Sequence, residues 1–190
     1  KIISTLPASV KRLLVGKKIE IDNQTLNLNS QLLLKFFYKM IDDKICNLTP
    51  NKARKMINRI VNLSYSKKRI NKMCNIENQD LECNDTILPI RIYRPHNISE
   101  KIPTLVYYHG GGFVIGTLEM YDYLCATFSS HCNIQVISID YRLAPENKFP
   151  IPAMDCITAY NALYDNAQQY NIDVNQLAIG GDSAGGNLAT

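Results

Sequence analysis

Three short apolar runs constrain what this 190-residue chain can fold into more than any other feature. They are "PTLVYYH" from Pro103, "IQVISIDY" from Ile134 and "QLAIGGDSAGG" from Gln176. The first two are continuous, β-branched or aromatic, which is the pattern of strands covered on both faces. Helical segments separate the runs, at roughly 119–132 and 152–170, and the second places Ala153, Ile157, Tyr160 and Tyr164 on one face. Strand, helix, strand, helix, strand implies an α/β fold in which crossover helices join parallel strands. Upstream, "TILPIRIYRP" alternates from Ile87 to Tyr93 and predicts a strand with one exposed face.

The N-terminal third reads differently. Leu32, Leu33, Phe36, Phe37, Met40 and Ile41 recur at helical spacing, Thr49-Pro50 is a helix-start signature, and Ala53, Met56, Ile57, Ile60 and Val61 form a second stripe. We expect residues 1–75 to be a helical cap segment and 76–190 the main α/β domain. Charge divides at the same place: residues 1–75 hold 16 Lys/Arg against 4 Asp/Glu, and residues 76–190 hold 5 against 13. The basic residues from Lys52 to Lys72 alternate with apolar positions and lack interleaved aromatics, so nucleic acid is not expected. They read as a solvated helix face, with peripheral contact to anionic lipid as the other reading. No apolar stretch reaches the length of a membrane helix, and the first residues lack the apolar core of a signal peptide, so a cytoplasmic protein is expected. Six cysteines show neither a CxxC pair nor metal-ligand spacing with the three histidines, so they read as reduced thiols with no metal and no cofactor.

Chemistry concentrates in two glycine-rich stretches. Gly181-Asp182-Ser183-Ala184-Gly185 is a G-x-S-x-G set where a strand should end and a helix begin. A serine on so tight a turn needs small residues two before and two after it, so that strand and helix pass one another. The turn exposes the Ser183 hydroxyl as a nucleophile. A carbonyl attacked there becomes an oxyanion that needs preplaced N–H donors, one from Ala184 and others from the loop after the third strand. That loop is His109-Gly110-Gly111-Gly112. Alone the G-x-S-x-G is weak, arising by chance in roughly one chain in twenty of this length; an H-G-G-G is far rarer.

With both motifs in the expected order, "YYHGGGFVIG", "DYRLAPENKFPIPAMD" and "GGDSAGGNLA" resemble the signature blocks of the hormone-sensitive lipase family of α/β-hydrolases, the HGGG-type carboxylesterases and lipases. The likeness is specific over about residues 81–190 and loose over the cap. It implies a mostly parallel sheet flanked by helices, an N-terminal helical cap, and hydrolysis of short to medium acyl esters through an acyl-serine. Position by position it implies Ser183 as nucleophile and Gly111, Gly112 and Ala184 as oxyanion donors. It also implies that His109 braces the loop instead of serving as the base, which agrees with its place one residue from backbone that must face the oxyanion. Tyr141 and Arg142 match the family's "YRLAPE" block, where they are expected to hold the loop, with Arg142 paired to Glu146 or Asp155; a plain surface ion pair is the other reading. Asp182 is expected to point away from the hydroxyl of Ser183. In the family the triad acid and histidine follow the serine, and this sequence ends at Thr190. We therefore expect a fold truncated after the elbow and a chain inactive by itself. A non-catalytic small-molecule binder on the same scaffold is the alternative, and a peptidase of the same fold stays open.

Overall fold

The computed structural model describes residues 6–41, 47–64, 66–98 and 100–190, and the chain groups into two units, Lys1–Thr49 and Pro50–Thr190. In the first, helix α1 (Ala8–Val15) ends at Gly16, whose φ of 79° suits a residue without Cβ. Strands β1 (Glu20–Ile21) and β2 (Gln24–Thr25) pair across Asp22-Asn23, both at positive φ as a two-residue hairpin requires. Helix α2 (Leu28–Ile41) is fastened at its start by buried Gln31, which donates to the Leu26 carbonyl at 2.6 Å and accepts from the Ile19 N–H at 3.3 Å. Of the expected stripe, Leu32 is buried but Leu33 is 57% exposed, since neighbouring residues on a helix point about 100° apart. The side chains of Phe36, Phe37, Met40 and Ile41 lie outside the described residues, as does Cys46.

The second unit begins with α3 (Pro50–Ser64), which buries Ala53 and Ile57, and α4 (Lys67–Ile70). The sequence grouped α3 with residues 1–49, whereas in the structure it belongs to the same unit as the sheet. Periodicity shows that a helix has an apolar face without showing what covers it.

The sheet runs β3 (Asn75–Cys83), β4 (Thr86–Arg94), β6 (Gln135–Ile139), β5 (Ile102–Tyr108), β7 (Ile172–Gly181). Strands β3 and β4 form an antiparallel hairpin, β4 is antiparallel to β6, and β6 and β7 flank β5 in parallel. The parallel strands expected are therefore joined by a hairpin, and the sheet is mixed. Strand β3 escaped the sequence reading because "NIENQDLEC" is an edge strand with few apolar residues. Helix α5 (Leu118–Cys132) connects β5 to β6, α6 (Ile151–Asp165) connects β6 to β7, and α7 (Ala184–Leu188) follows β7. All of β6 is buried. Ile137 and Ile139 pack with Tyr108, Cys156, Ala159 and Leu163 in one core cluster, while Val136 packs with Tyr93, Tyr107, Tyr121 and Cys125 in another.

Strand β4 departs from the expectation of one exposed face. Ile87 is 62% exposed, but Ile90 to Tyr93 are buried throughout. The charge at Arg91 tolerates burial because α5 brings acceptors to it: the guanidinium donates to Asp122 and Glu119, both at 2.7 Å, and the Tyr93 hydroxyl also donates to Asp122 at 2.5 Å.

Asp140, just past β6, gives a pH prediction. Burial, reinforced by nearby Glu119 and opposed by Arg91, pushes its carboxyl from 3.8 up to about 6. The folded chain thus keeps a proton that the unfolded chain has lost across that window, so this group's contribution to stability falls as pH rises through it. The melting-temperature gap between Asp140→Asn and wild type should widen in the variant's favour from pH 4 to pH 7. A gap independent of pH would refute the assignment.

Candidate active site

Strand β7 ends at Gly181 and α7 begins at Ala184, so Asp182 and Ser183 make the whole turn between them. Ser183 has φ 51° and ψ −119°, a conformation that side chains with a Cβ rarely adopt. Close packing of the elbow against the end of β5 holds it there. A methyl group on Gly185 would run into the Tyr108 carbonyl and lie 2.7 Å from the His109 oxygen, and one on Gly181 would strike the Tyr108 carbonyl and the Gly185 backbone. The serine itself is exposed.

The loop after β5 has the opposite character on its two sides. Gly111 (φ 132°) accepts hydrogen bonds at its carbonyl from Val114 and Ile115, at 3.1 and 3.0 Å, which closes a tight turn. Gly112 (φ 60°) borders open space, since a methyl group there would meet nothing within 4 Å. Among the described residues, nothing accepts from the backbone N–H groups of Gly111, Gly112 or Ala184. Three unused donors lie in two segments that are fastened together.

Asp182 is the fastener. Its carboxylate accepts from the Gly110 N–H at 2.9 Å, the Tyr107 hydroxyl at 2.8 Å and the Tyr121 hydroxyl at 3.1 Å. The carboxylate is thus turned to the loop and the sheet, and it makes no hydrogen bond to Ser183. Asp182→Ala should strand three donors at once and cost on the order of 3 kcal/mol. Denaturant unfolding checks this, and a loss below about 1 kcal/mol would contradict the clamp.

His109 is fully buried, stacked on Tyr141 with ring centroids 4.4 Å apart and near Tyr121 at 5.6 Å. Its Nδ1 lies 2.9 Å from the Gly110 carbonyl, which places the proton on Nδ1, and its Nε2 has no partner. Burial lowers its pKa from the ordinary imidazole value. The Tyr141 hydroxyl donates to the His109 carbonyl at 2.6 Å, tying the start of the loop to the segment after β6. His96 pairs with Asn75 and His131 with Ser130 and Thr127, so none of the three histidines is hydrogen-bonded to Ser183. Arg142 donates its N–H and guanidinium to Asp155 at 2.6–3.2 Å, and Asp155 is buried. Glu146, the other acid offered by the sequence, is taken instead by Arg54.

Three residues of this assembly were not singled out from the sequence. Tyr107 falls in a strand-like run, Tyr121 inside the helical segment 119–132, and Arg54 among the basic residues from Lys52 to Lys72. No spacing signal marks them, because their partners lie 60 or more residues away in the chain. Among the described residues no group of His, Cys, Asp and Glu is arranged to hold a metal ion, and no helix is long and apolar enough to cross a membrane.

Comparison with known proteins bears on the fold. Residues 105–190 match the family described as alpha/beta hydrolase fold. A putative alpha/beta hydrolase of Acanthamoeba polyphaga mimivirus is 36% identical over 85% of the chain and 46% of its own length. The ethyl acetate hydrolase of Pseudomonas putida is 41% identical over 54% of the chain and 33% of its own. Among solved structures, an ester hydrolase from the Lake Arreo metagenome superposes with a TM-score of 0.72 at 36% identity, covering 83% of this chain and 50% of that one. The esterase of Pyrobaculum calidifontis gives 0.65 at 35%, covering 75% and 46%. The chain thus spans less than half the length of the curated relatives it matches.

Proposed function

We propose, for a chain whose residues 105–190 belong to the alpha/beta hydrolase fold family, that it carries the nucleophile and anion cradle of a serine carboxylester hydrolase. The observation that carries this reading is the strained, exposed Ser183 clamped by Asp182 to a loop whose N–H groups are unused. In the reaction, Ser183 Oγ bonds to the ester carbonyl carbon as its proton passes to a base, and the carbonyl π electrons move onto oxygen. The N–H groups of Gly111, Gly112 and Ala184 hold that oxyanion. Collapse expels the alcohol, and water then releases the acid from the acyl-serine.

Small and medium acyl esters are the proposed substrates, a choice supported by the relative named ethyl acetate hydrolase. Because no histidine here is hydrogen-bonded to Ser183, the 190-residue chain alone is expected to show only the residual rate of a nucleophile without its base. The described cysteines are all free, four of them buried, which supports the proposed cytoplasmic location. A fluorophosphonate probe tests the reading on the full-length protein. Labelling confined to Ser183 is the expected result, whereas no labelling would overturn it in favour of a binding protein on the same scaffold.

A further inference from the structure

The guanidinium of Arg54, on α3, uses four of its five N–H groups on two separate turns. Nε donates to the Val114 carbonyl at 2.8 Å and Nη2 to the Ala144 carbonyl at 2.7 Å. Nη1 and Nη2 grip the two oxygens of Glu146 at 2.9 and 2.7 Å. Val114 closes the turn that begins at Gly111, and Ala144 in turn donates its N–H to the Phe113 carbonyl at 2.8 Å. The contacts form a ring: Phe113 to Ala144, Ala144 to Arg54, Arg54 to Val114. The turn inside that ring presents the free N–H groups of Gly111 and Gly112.

We propose that Arg54 is a positioning residue for the oxyanion turn, setting it from behind against the segment after β6. The proposal rests on the hydrolase reading for its catalytic consequence, though not for its structural one. A simple surface ion pair would need only Glu146. Here the Arg side chain is 25% exposed against 52% for Glu146, and it spends half its bonds on backbone carbonyls, which a swap of charges cannot replace. The planar fork of arginine meets the carboxylate and both carbonyls together, whereas the single ammonium of lysine cannot span all of them. Asp182 fastens the front of the same loop through Gly110, so the turn is held at both ends. An oxyanion donor is useful only if it is fixed before charge develops, and these two anchors supply that rigidity.

Amide hydrogen exchange on the chain, without any need for catalysis, tests the structural part. Val114, Ile115, Ala144 and Asn147 donate within the two turns, so their exchange reports on the ring. Arg54→Ala should accelerate these amides about tenfold or more while amides of β5 and β6 hardly change. Arg54→Lys should fall between wild type and alanine, and Glu146→Gln, which spares both carbonyl contacts, should accelerate them only a few-fold. Unchanged exchange in the turns would overturn the proposal, and so would equal acceleration in the strands, which would mean a general loss of stability. If Arg54→Ala does not fold, Arg54→Lys and Glu146→Gln decide by the same criteria. In the full-length protein, Arg54→Ala should lower kcat for 4-nitrophenyl butyrate about tenfold with KM nearly unchanged, and lysine should restore part of it. An unchanged kcat in a protein whose wild type hydrolyses the ester would overturn the catalytic role. A wild type without turnover would count against the hydrolase reading alone, leaving the exchange result to stand.

Discussion

Ser183→Ala in the full-length protein should lower ester turnover by a factor on the order of 10⁶ while leaving the fold intact. The two effects separate because alanine keeps the Cβ and therefore meets the same backbone requirement as serine at φ 51°. Nothing in the elbow packs on the hydroxyl: the side chain is exposed, and the clamp runs through Asp182. Removing Oγ thus deletes the proposed attacking atom and little else. Hydrolysis of 4-nitrophenyl butyrate beside a thermal melt checks both halves. A variant retaining more than about 1% of wild-type turnover would remove Ser183 as the nucleophile, since water acting in place of a lost nucleophile leaves far less.

Gly185→Ala, two residues away, should do the reverse and fail through the fold. The added methyl would strike the Tyr108 carbonyl and sit 2.7 Å from the His109 oxygen. Tyr108 is in β5, which is hydrogen-bonded on both sides, to β6 and to β7. That backbone cannot move aside without breaking a ladder. Overpacking of this kind costs about 3 kcal/mol or more when no flexible side chain can yield. In a chain of this size the melting temperature should fall by roughly 10 °C. Gly186→Ala is the control, because its nearest contact is the Gly181 oxygen at 3.3 Å and alanine is the better helix former. It should lie within about 1 kcal/mol of wild type. A Gly185→Ala melt within 2 °C of wild type, on the scale of about 2–4 °C per kcal/mol, would show that the elbow is not packed as described.

How far the sequence reached can be judged from particular residues. The strands around Val106 and Ile137 were legible because a strand covered on both faces admits few polar residues, and such runs are rare. The elbow was legible for the same kind of reason: at Gly181 and Gly185 backbone passes backbone, only glycine fits, and the requirement is written into the residue type. Strand β3 was illegible because an edge strand may be polar. The membership of α3 was illegible because its stripe of Ala53 and Ile57 states a need for burial and not the partner. The family resemblance offered Arg142 two acids, Glu146 and Asp155; in the fold Asp155 takes it, while Glu146 is engaged by Arg54, 92 residues away in the chain.

By itself, then, the sequence determined the order of strands and helices around the elbow, the serine at its turn and the glycines that flank it. These are local demands of backbone geometry, each satisfied by one kind of residue at one spacing. Only the tertiary structure decided which bonds hold the site rigid: Tyr107, Tyr121 and Gly110 on Asp182, Arg54 across two turns, and, for the Tyr141 that the resemblance had already set to hold the loop, the His109 carbonyl as its acceptor. These are hydrogen bonds between distant segments, and a hydroxyl or guanidinium carries no mark in the sequence of the acceptor that folding will bring to it.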